Sequence, residues 1–203
     1  MNIETDRILE SILESLSKME YVKSSEIPNI DLYMDQVLTF MNGHLNTAKR
    51  YESDKVMTKT MINNYAKNHL LPPPEKKKYT KEHIMVLMFI YYYKNVLSIG
   101  DIQSILNPLT ERYFANGKEL DLEKIYEEVF SLEKGQIEQL KISLTRDYQR
   151  AGETFTEESE YDKEFLQLFS FICMLSYDIY IRKQIIEKLV DNMPVLADKK
   201  EEK

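Results

Sequence analysis

The stretch Met57-Thr58-Lys59-Thr60-Met61-Ile62-Asn63-Asn64-Tyr65-Ala66-Lys67-Asn68-His69-Leu70-Leu71-Pro72-Pro73-Pro74-Glu75-Lys76-Lys77-Lys78-Tyr79-Thr80 decides how the rest of the chain is read. Met61, Ile62 and Tyr65 recur at helical spacing behind Thr58, so the pattern predicts a helix capped by Thr58 and ending near Asn68. Lys59, Thr60, Asn63, Asn64 and Lys67 then share its outward face. Leu70 and Leu71 fold back onto the core, and three prolines force an extended segment. Lys76, Lys77 and Lys78 follow on that stiff support. Tyr79 and Thr80 close a small hairpin, and Thr80 can cap the next helix.

Outward from this stretch the chain reads as mostly helical. Ile8, Leu9, Ile12, Leu13, Leu16 and Met19 mark a first helix from Asp6 to Tyr21, ended by Ser24-Ser25 and Pro28. Asp31 can cap a second, with Leu32, Val37, Leu38 and Met41 inward and Asn42-Gly43 at its end. Residues 45–54 fit a loop or a short extra helix. Beyond the hairpin, a helix from Lys81 to Lys94 sets Ile84, Leu87, Met88 and Tyr91 on one face. Tyr91, Tyr92 and Tyr93 cannot all point inward. Ser98 caps a further helix, Ile99 to Leu106, which Asn107-Pro108 should stop. Helices from Asp121 to Glu133 and Gln136 to Gln149 follow.

The spacing of Thr154 and Glu157 fits a capping box opening one long helix to about Asn192. Phe165, Leu168, Ile172, Leu175, Ile179, Arg182, Ile186 and Leu189 keep heptad spacing along it. All but Arg182 are apolar, which predicts a seam for a dimer or other partner. The charged tail from Asp198 to Lys203 is expected to lack order.

The chain of 203 residues carries a net charge of −7, unevenly spread. Residues 49–94 hold ten Lys/Arg against four Asp/Glu, and the remainder is strongly acidic. Such asymmetry suggests one basic working face on an acidic body. Cys173 is the single cysteine, which excludes an intramolecular disulfide, and its apolar surroundings suggest a buried, inert thiol. Nothing at the N-terminus resembles a signal peptide. The window Phe165–Ile181 reads as too short and too polar to span a bilayer. A soluble, cytoplasmic protein is expected. His44, His69 and His83 lack metal-ligand spacing, His83 reads as packing or capping, and no phosphate loop or nucleophile motif occurs. The expectation is therefore no enzyme, no metal and no cofactor.

A short helix bearing Asn and Lys, followed by a lysine-rich turn, has the chemistry to touch a nucleic-acid duplex. Asn pairs with adenine N6 and N7, Lys with guanine or phosphate, and lysines at a turn grip the backbone. The segment resembles the DNA-binding domain of MerR-type transcriptional regulators. Met57-Thr58-x-x-Met61-Ile62-Asn63-Asn64-Tyr65 is similar to that family's V-S-x-x-T-L-R-Y-Y, and Leu70-Leu71-Pro72 to its G-L-L-P, with His69 at the glycine position. Lys77-Lys78-Tyr79 resembles the R-x-Y of its wing. Ile84, Leu87 and Ile90, with Leu97-Ser98-Ile99-x-Asp101-Ile102, resemble the helix pair after it. Asn63 replaces the family arginine that holds phosphate. The same phrases resemble an uncharacterised bacterial family catalogued as a domain of unknown function, whose members are regarded as DNA binders on this likeness.

The resemblance implies a winged helix-turn-helix over residues 27–110, preceded by an N-terminal helix (1–26). An acidic helical domain, a bundle or coiled-coil-like region, follows (111–203). It implies DNA contacts through Thr58, Lys59, Thr60, Asn63, Asn64, Tyr65, Lys67, Lys76, Lys77, Lys78 and Tyr79. By it, Lys77 takes a phosphate-contacting role, and Tyr65 and Tyr79 mix packing with backbone contact. The expected partners are duplex DNA, a second copy of the chain, and a small-molecule or protein effector of unknown identity, with no membrane. The alternative expectation is a helical protein-interaction module that keeps the winged fold without binding DNA.

Overall fold

The computed structural model describes residues 3–19, 21–46 and 49–198. The chain is mostly helical, with one small antiparallel sheet. It divides into two compact units, one of residues 1–21 with 131–185, the other of 22–130 with 186–203. The expected tail at 199–203 lies outside the described residues.

The second unit is built around α4 (Lys81–Tyr93). Its sequence, KEHIMVLMFIYYY, is apolar on every side, and such a helix must be enclosed. His83 to Tyr91 are all buried, so the single inward face expected from the spacing is instead the whole circumference. Tyr92 is exposed and Tyr93 half-buried, as three adjacent tyrosines on a helix require. On one side α6 (Leu122–Ser131) packs its rings against Phe89: Tyr126 at 5.6 Å and Phe130 at 5.4 Å between centroids. The Tyr126 hydroxyl donates to the Val22 carbonyl at 2.6 Å, and Ser24, in a 3-10 turn (Ser24–Glu26), donates to Glu127.

α5 (Ile99–Tyr113) begins at Ser98, whose Oγ accepts from the Asp101 N–H at 3.2 Å while Asp101 accepts from the Ser98 N–H. The helix does not stop at Pro108 but runs five residues past it. Pro108 has no N–H to give the Ser104 carbonyl, and Thr110 Oγ1 donates to the Leu106 and Asn107 carbonyls at 3.0 and 3.2 Å. With Leu106 fully buried, packing outweighs the local break.

The sequence reading places a small hairpin at Tyr79 and Thr80 but not the distant strand that pairs with Lys78–Tyr79. Leu32–Tyr33 (β1) pairs antiparallel with Lys78–Tyr79 (β2), Leu32 opposite Tyr79. The helix placed at Asp31 therefore starts later, as α2 (Met34–His44), where Gln36 accepts from the Tyr33 N–H at 2.8 Å. Residues paired 45 and 47 positions apart along the chain leave no local signal. α3 (Lys59–Lys67) packs on α2, with Ile62 and Tyr65 inward.

In the first unit, α1 (Ile3–Ser17) and α7 (Glu133–Gly152) pack together, and α8 (Glu160–Asp198) adds Phe171. Leu9, Leu144, Tyr148, Ala151 and Phe171 form the core, flanked by Leu13, Leu16, Met174 and Leu175. Tyr148 donates to Asp6 at 2.6 Å, and burial with that carboxylate pushes its phenol up to about 12. α8 starts after a Ser159–Asp162 cap rather than at Thr154, whose hydroxyl donates to the Ala151 carbonyl.

Candidate functional site

Thr58 caps α3 as its sequence position suggests: Oγ1 accepts from the Met61 N–H at 3.2 Å. Lys59, Thr60, Asn63, Asn64 and Lys67 are all exposed, while Ile62 and Tyr65 are buried. A polar ridge of two amides, a hydroxyl and two ammonium groups thus faces outward from a helix anchored by two side chains. The segment entering α3 is held by Lys94, whose Nζ donates to the Val56 carbonyl at 2.7 Å and lies 4.9 Å from the Tyr91 ring. Burial lowers the Lys94 pKa.

The far end of α3 closes with both Schellman hydrogen bonds. The Leu70 N–H donates to the Tyr65 carbonyl at 2.9 Å and the His69 N–H to Ala66 at 3.2 Å. His69 lies between them in left-handed backbone, φ 56°, the conformation that favours glycine. His69, which stands where the resembled pattern has glycine, therefore sits at the position where glycine is best. His69→Gly is expected to raise unfolding free energy by roughly 1 kcal/mol, read as a higher urea midpoint. Gln103 of α5 donates to the Asn68 carbonyl at 2.5 Å and fixes this corner.

From there seven residues lead to a tight turn. The Lys78 N–H donates to the Glu75 carbonyl at 2.8 Å, and the two residues between, Lys76 (φ 48°) and Lys77 (φ 64°), both have left-handed backbone. This is the requirement of a type I′ hairpin turn, normally met by Asn-Gly. Both lysines are exposed. Lys78 is half-buried, its ammonium 5.8 Å from the Tyr33 ring. Tyr79 is buried on β2, and burial raises the pKa of both Tyr79 and Tyr65. The rings of Tyr65 and Tyr79 are core members, so the packing part of their mixed expectation is the part the fold uses.

His83 stands under this turn. Its Nδ1 accepts from the Thr80 N–H at 3.0 Å, and its ring meets Tyr79 and Phe114 edge-on at 5.6 and 4.8 Å. Nε2 is buried without a hydrogen-bond partner. Burial lowers its pKa, opposed by the Pro73 and Pro72 carbonyls and by Asp31. The unfolded chain then binds the extra proton more readily than the folded one. Stability should be full above about pH 6.5 and fall as pH drops from there through the lowered folded value. His83→Gln keeps a capping-box side chain at that position and should flatten the dependence of the urea midpoint between pH 7.5 and 5.

The remaining basic side chains are partly engaged: Lys81 pairs with Glu123 at 2.5 Å, and the Arg50 guanidinium lies 5.3 Å from the Tyr51 ring. The expected seam on α8 is divided. Leu168, Leu175 and Ile186 are half-buried, whereas Phe165, Ile172, Ile179 and Leu189 are exposed. Cys173 is exposed, not buried as its apolar neighbours suggest, because only one side of α8 meets a core. Among the described residues one helix, Glu160–Met193, is long and apolar enough to cross a membrane by length and composition alone, a longer window than the 165–181 considered from sequence. Among the described residues no His, Cys, Asp and Glu cluster has metal-site geometry.

A family model described as a domain of unknown function (DUF1836) matches residues 22–129, more than half of the chain and nearly the whole continuous part of the second unit. No curated protein and no solved structure matches.

Proposed function

The chain belongs to this family of unknown function, and we propose that its matched domain binds duplex DNA in the cytoplasm as a transcriptional regulator of winged helix-turn-helix type. In this reading α3 is the recognition helix and the turn at Lys76–Lys77 is the tip of the wing. The supporting observation is the turn itself. Two adjacent lysines hold the left-handed conformation that asparagine and glycine hold more easily. Strained backbone at non-glycine residues is enriched at functional sites.

Chemistry divides the labour. Lys76, Lys77, Lys59 and Lys67 neutralise phosphates and set affinity, while Asn63, Asn64 and Thr60 read base edges. Thr58 works indirectly by capping the helix, and Tyr65 and Tyr79 by anchoring helix and wing to the core.

The test is fluorescence anisotropy of labelled mixed-sequence duplex DNA against the full chain over a salt series. Micromolar binding at low salt is expected. The slope of log K against log salt should reach roughly −3 to −4 if the four lysines each meet a phosphate. No anisotropy change at ~100 µM protein in low salt, a concentration that captures ordinary non-specific binding, overturns the reading. The alternative of a protein-interaction module on the same fold would then be favoured.

A further inference from the structure

The segment between α2 and α3 folds back on itself. The Asp54 N–H donates to the Tyr51 carbonyl at 3.0 Å, and Asp54 Oδ2 accepts from the Tyr51 N–H at 3.0 Å. This turn brings Lys49 and Lys55, on either side of it, to one cavity of about 310 Å³ at the end of α4. Lys94 and Asn95 line the same cavity, with Val56 and Tyr91 as its apolar wall. Lys94 is fixed there by its hydrogen bond to the Val56 carbonyl and by the Tyr91 ring. Lys49 and Lys55 have no ion-pair partner among the described residues. The lining residues include one carboxylate, Asp54, which the turn already engages. Three ammonium groups against that carboxylate leave the cavity a formal charge of +2. Like charges gathered at a partly enclosed surface repel, and burial lowers the Lys94 pKa. An anion seated among them removes both costs.

We propose that this cavity binds a small phosphate monoester, its phosphate held by Lys49, Lys55 and Lys94 and Asn95 adding an amide donor. Charge and donor number select the class. A phosphate monoester carries about −1.5 to −2 at neutral pH and presents three strong acceptor oxygens. That matches three ammonium groups in a lining of charge +2. A carboxylate offers one charge and two oxygens. A nucleic-acid backbone phosphate is a diester with a single charge. Volume selects the size. A phosphate takes the space of roughly two waters, ~60 Å³, so most of the 310 Å³ is left for the organic part. Small-molecule sites run from about 300 to 1,000 Å³, which places this one at the scale of a sugar phosphate rather than a large cofactor. Val56 and Tyr91 give the carbon skeleton an apolar wall. The inference is independent of DNA binding, because these lysines belong neither to the outward face of α3 nor to the turn at Lys76–Lys77.

The experiment is a titration of the full chain with ribose 5-phosphate at low salt, followed by backbone amide shifts in NMR. Saturable shifts are expected at Lys55, Val56, Lys94 and Asn95, with a Kd of about 1 mM or tighter. Ribose without phosphate should shift none of them. Lys49→Gln and Lys55→Gln each remove one ammonium and should weaken binding about tenfold. Neither side chain is buried, so circular dichroism and the urea midpoint should not move. Lys94 is left intact because it also holds the Val56 carbonyl. Lys76-Lys77→Asn-Gly should leave ribose 5-phosphate binding unchanged. A chain that binds the sugar phosphate but no DNA keeps this proposal and loses the other. No saturable shift up to ~20 mM ligand, undiminished binding by the Lys49→Gln/Lys55→Gln double variant, or shifts centred on Lys76–Lys78 overturns the proposal. So does displacement of ribose 5-phosphate by duplex DNA, which would make the cavity a contact to the nucleic-acid backbone.

Discussion

Replacing Lys76-Lys77 by Asn-Gly should weaken duplex binding by roughly ten- to hundredfold at low salt while leaving the protein as stable as before, or more so. The two effects separate because the turn needs one property of these residues and the binding reading another. The turn needs backbone that tolerates positive φ, which Asn and Gly supply better than lysine. Unfolding free energy should rise by about 1 kcal/mol or more. Binding needs two ammonium groups, and their loss should reduce the salt slope by nearly 2, at about 0.9 per phosphate contact. Lys118→Ala, an exposed lysine of the loop between α5 and α6, is the control and should change neither quantity. Anisotropy and urea denaturation on the same preparations check both. A variant that melts lower contradicts the type I′ assignment, and one that binds DNA as the parent does contradicts the role given to the wing.

Tyr126→Ala should be the most destabilising single truncation in the matched domain. The ring is fully buried, 5.6 Å from Phe89 and 4.5 Å from Phe130, and the hydroxyl donates to the Val22 carbonyl at 2.6 Å. Removal leaves a cavity and an unmet carbonyl, together about 4–5 kcal/mol. That is a large share of the 5–15 kcal/mol that usually separates folded from unfolded domains. Tyr126→Phe isolates the hydrogen bond and should lose only about 1 kcal/mol. If both variants lose the same small amount in urea titrations, α6 does not close this core in solution.

Helix α3 was legible almost to the residue because its signals are local. A threonine hydroxyl meets an N–H three residues on, and the apolar residues follow the helical repeat. The outward positions of Lys59, Thr60, Asn63, Asn64 and Lys67 follow from that repeat alone. The lysine turn was legible as a turn, but its left-handed backbone was not, since nothing in Lys-Lys-Lys announces positive φ. His69 shows the intermediate case: the likeness to a glycine position marked it, and the Schellman hydrogen bonds explain it.

Amino-acid order by itself determined where α3, α4 and α5 begin behind Thr58, Thr80 and Ser98, which face of α3 is apolar, and where charge concentrates, because each of these is set within one or two helical turns. Tertiary structure decided the pairing of Leu32–Tyr33 with Lys78–Tyr79, the passage of α5 through Pro108 and the enclosure of α4 on every side. It also decided which half of the α8 seam is spent inside the chain and which is left exposed. Those outcomes depend on burial against residues tens of positions away, whose free energy exceeds the local preferences it overrides.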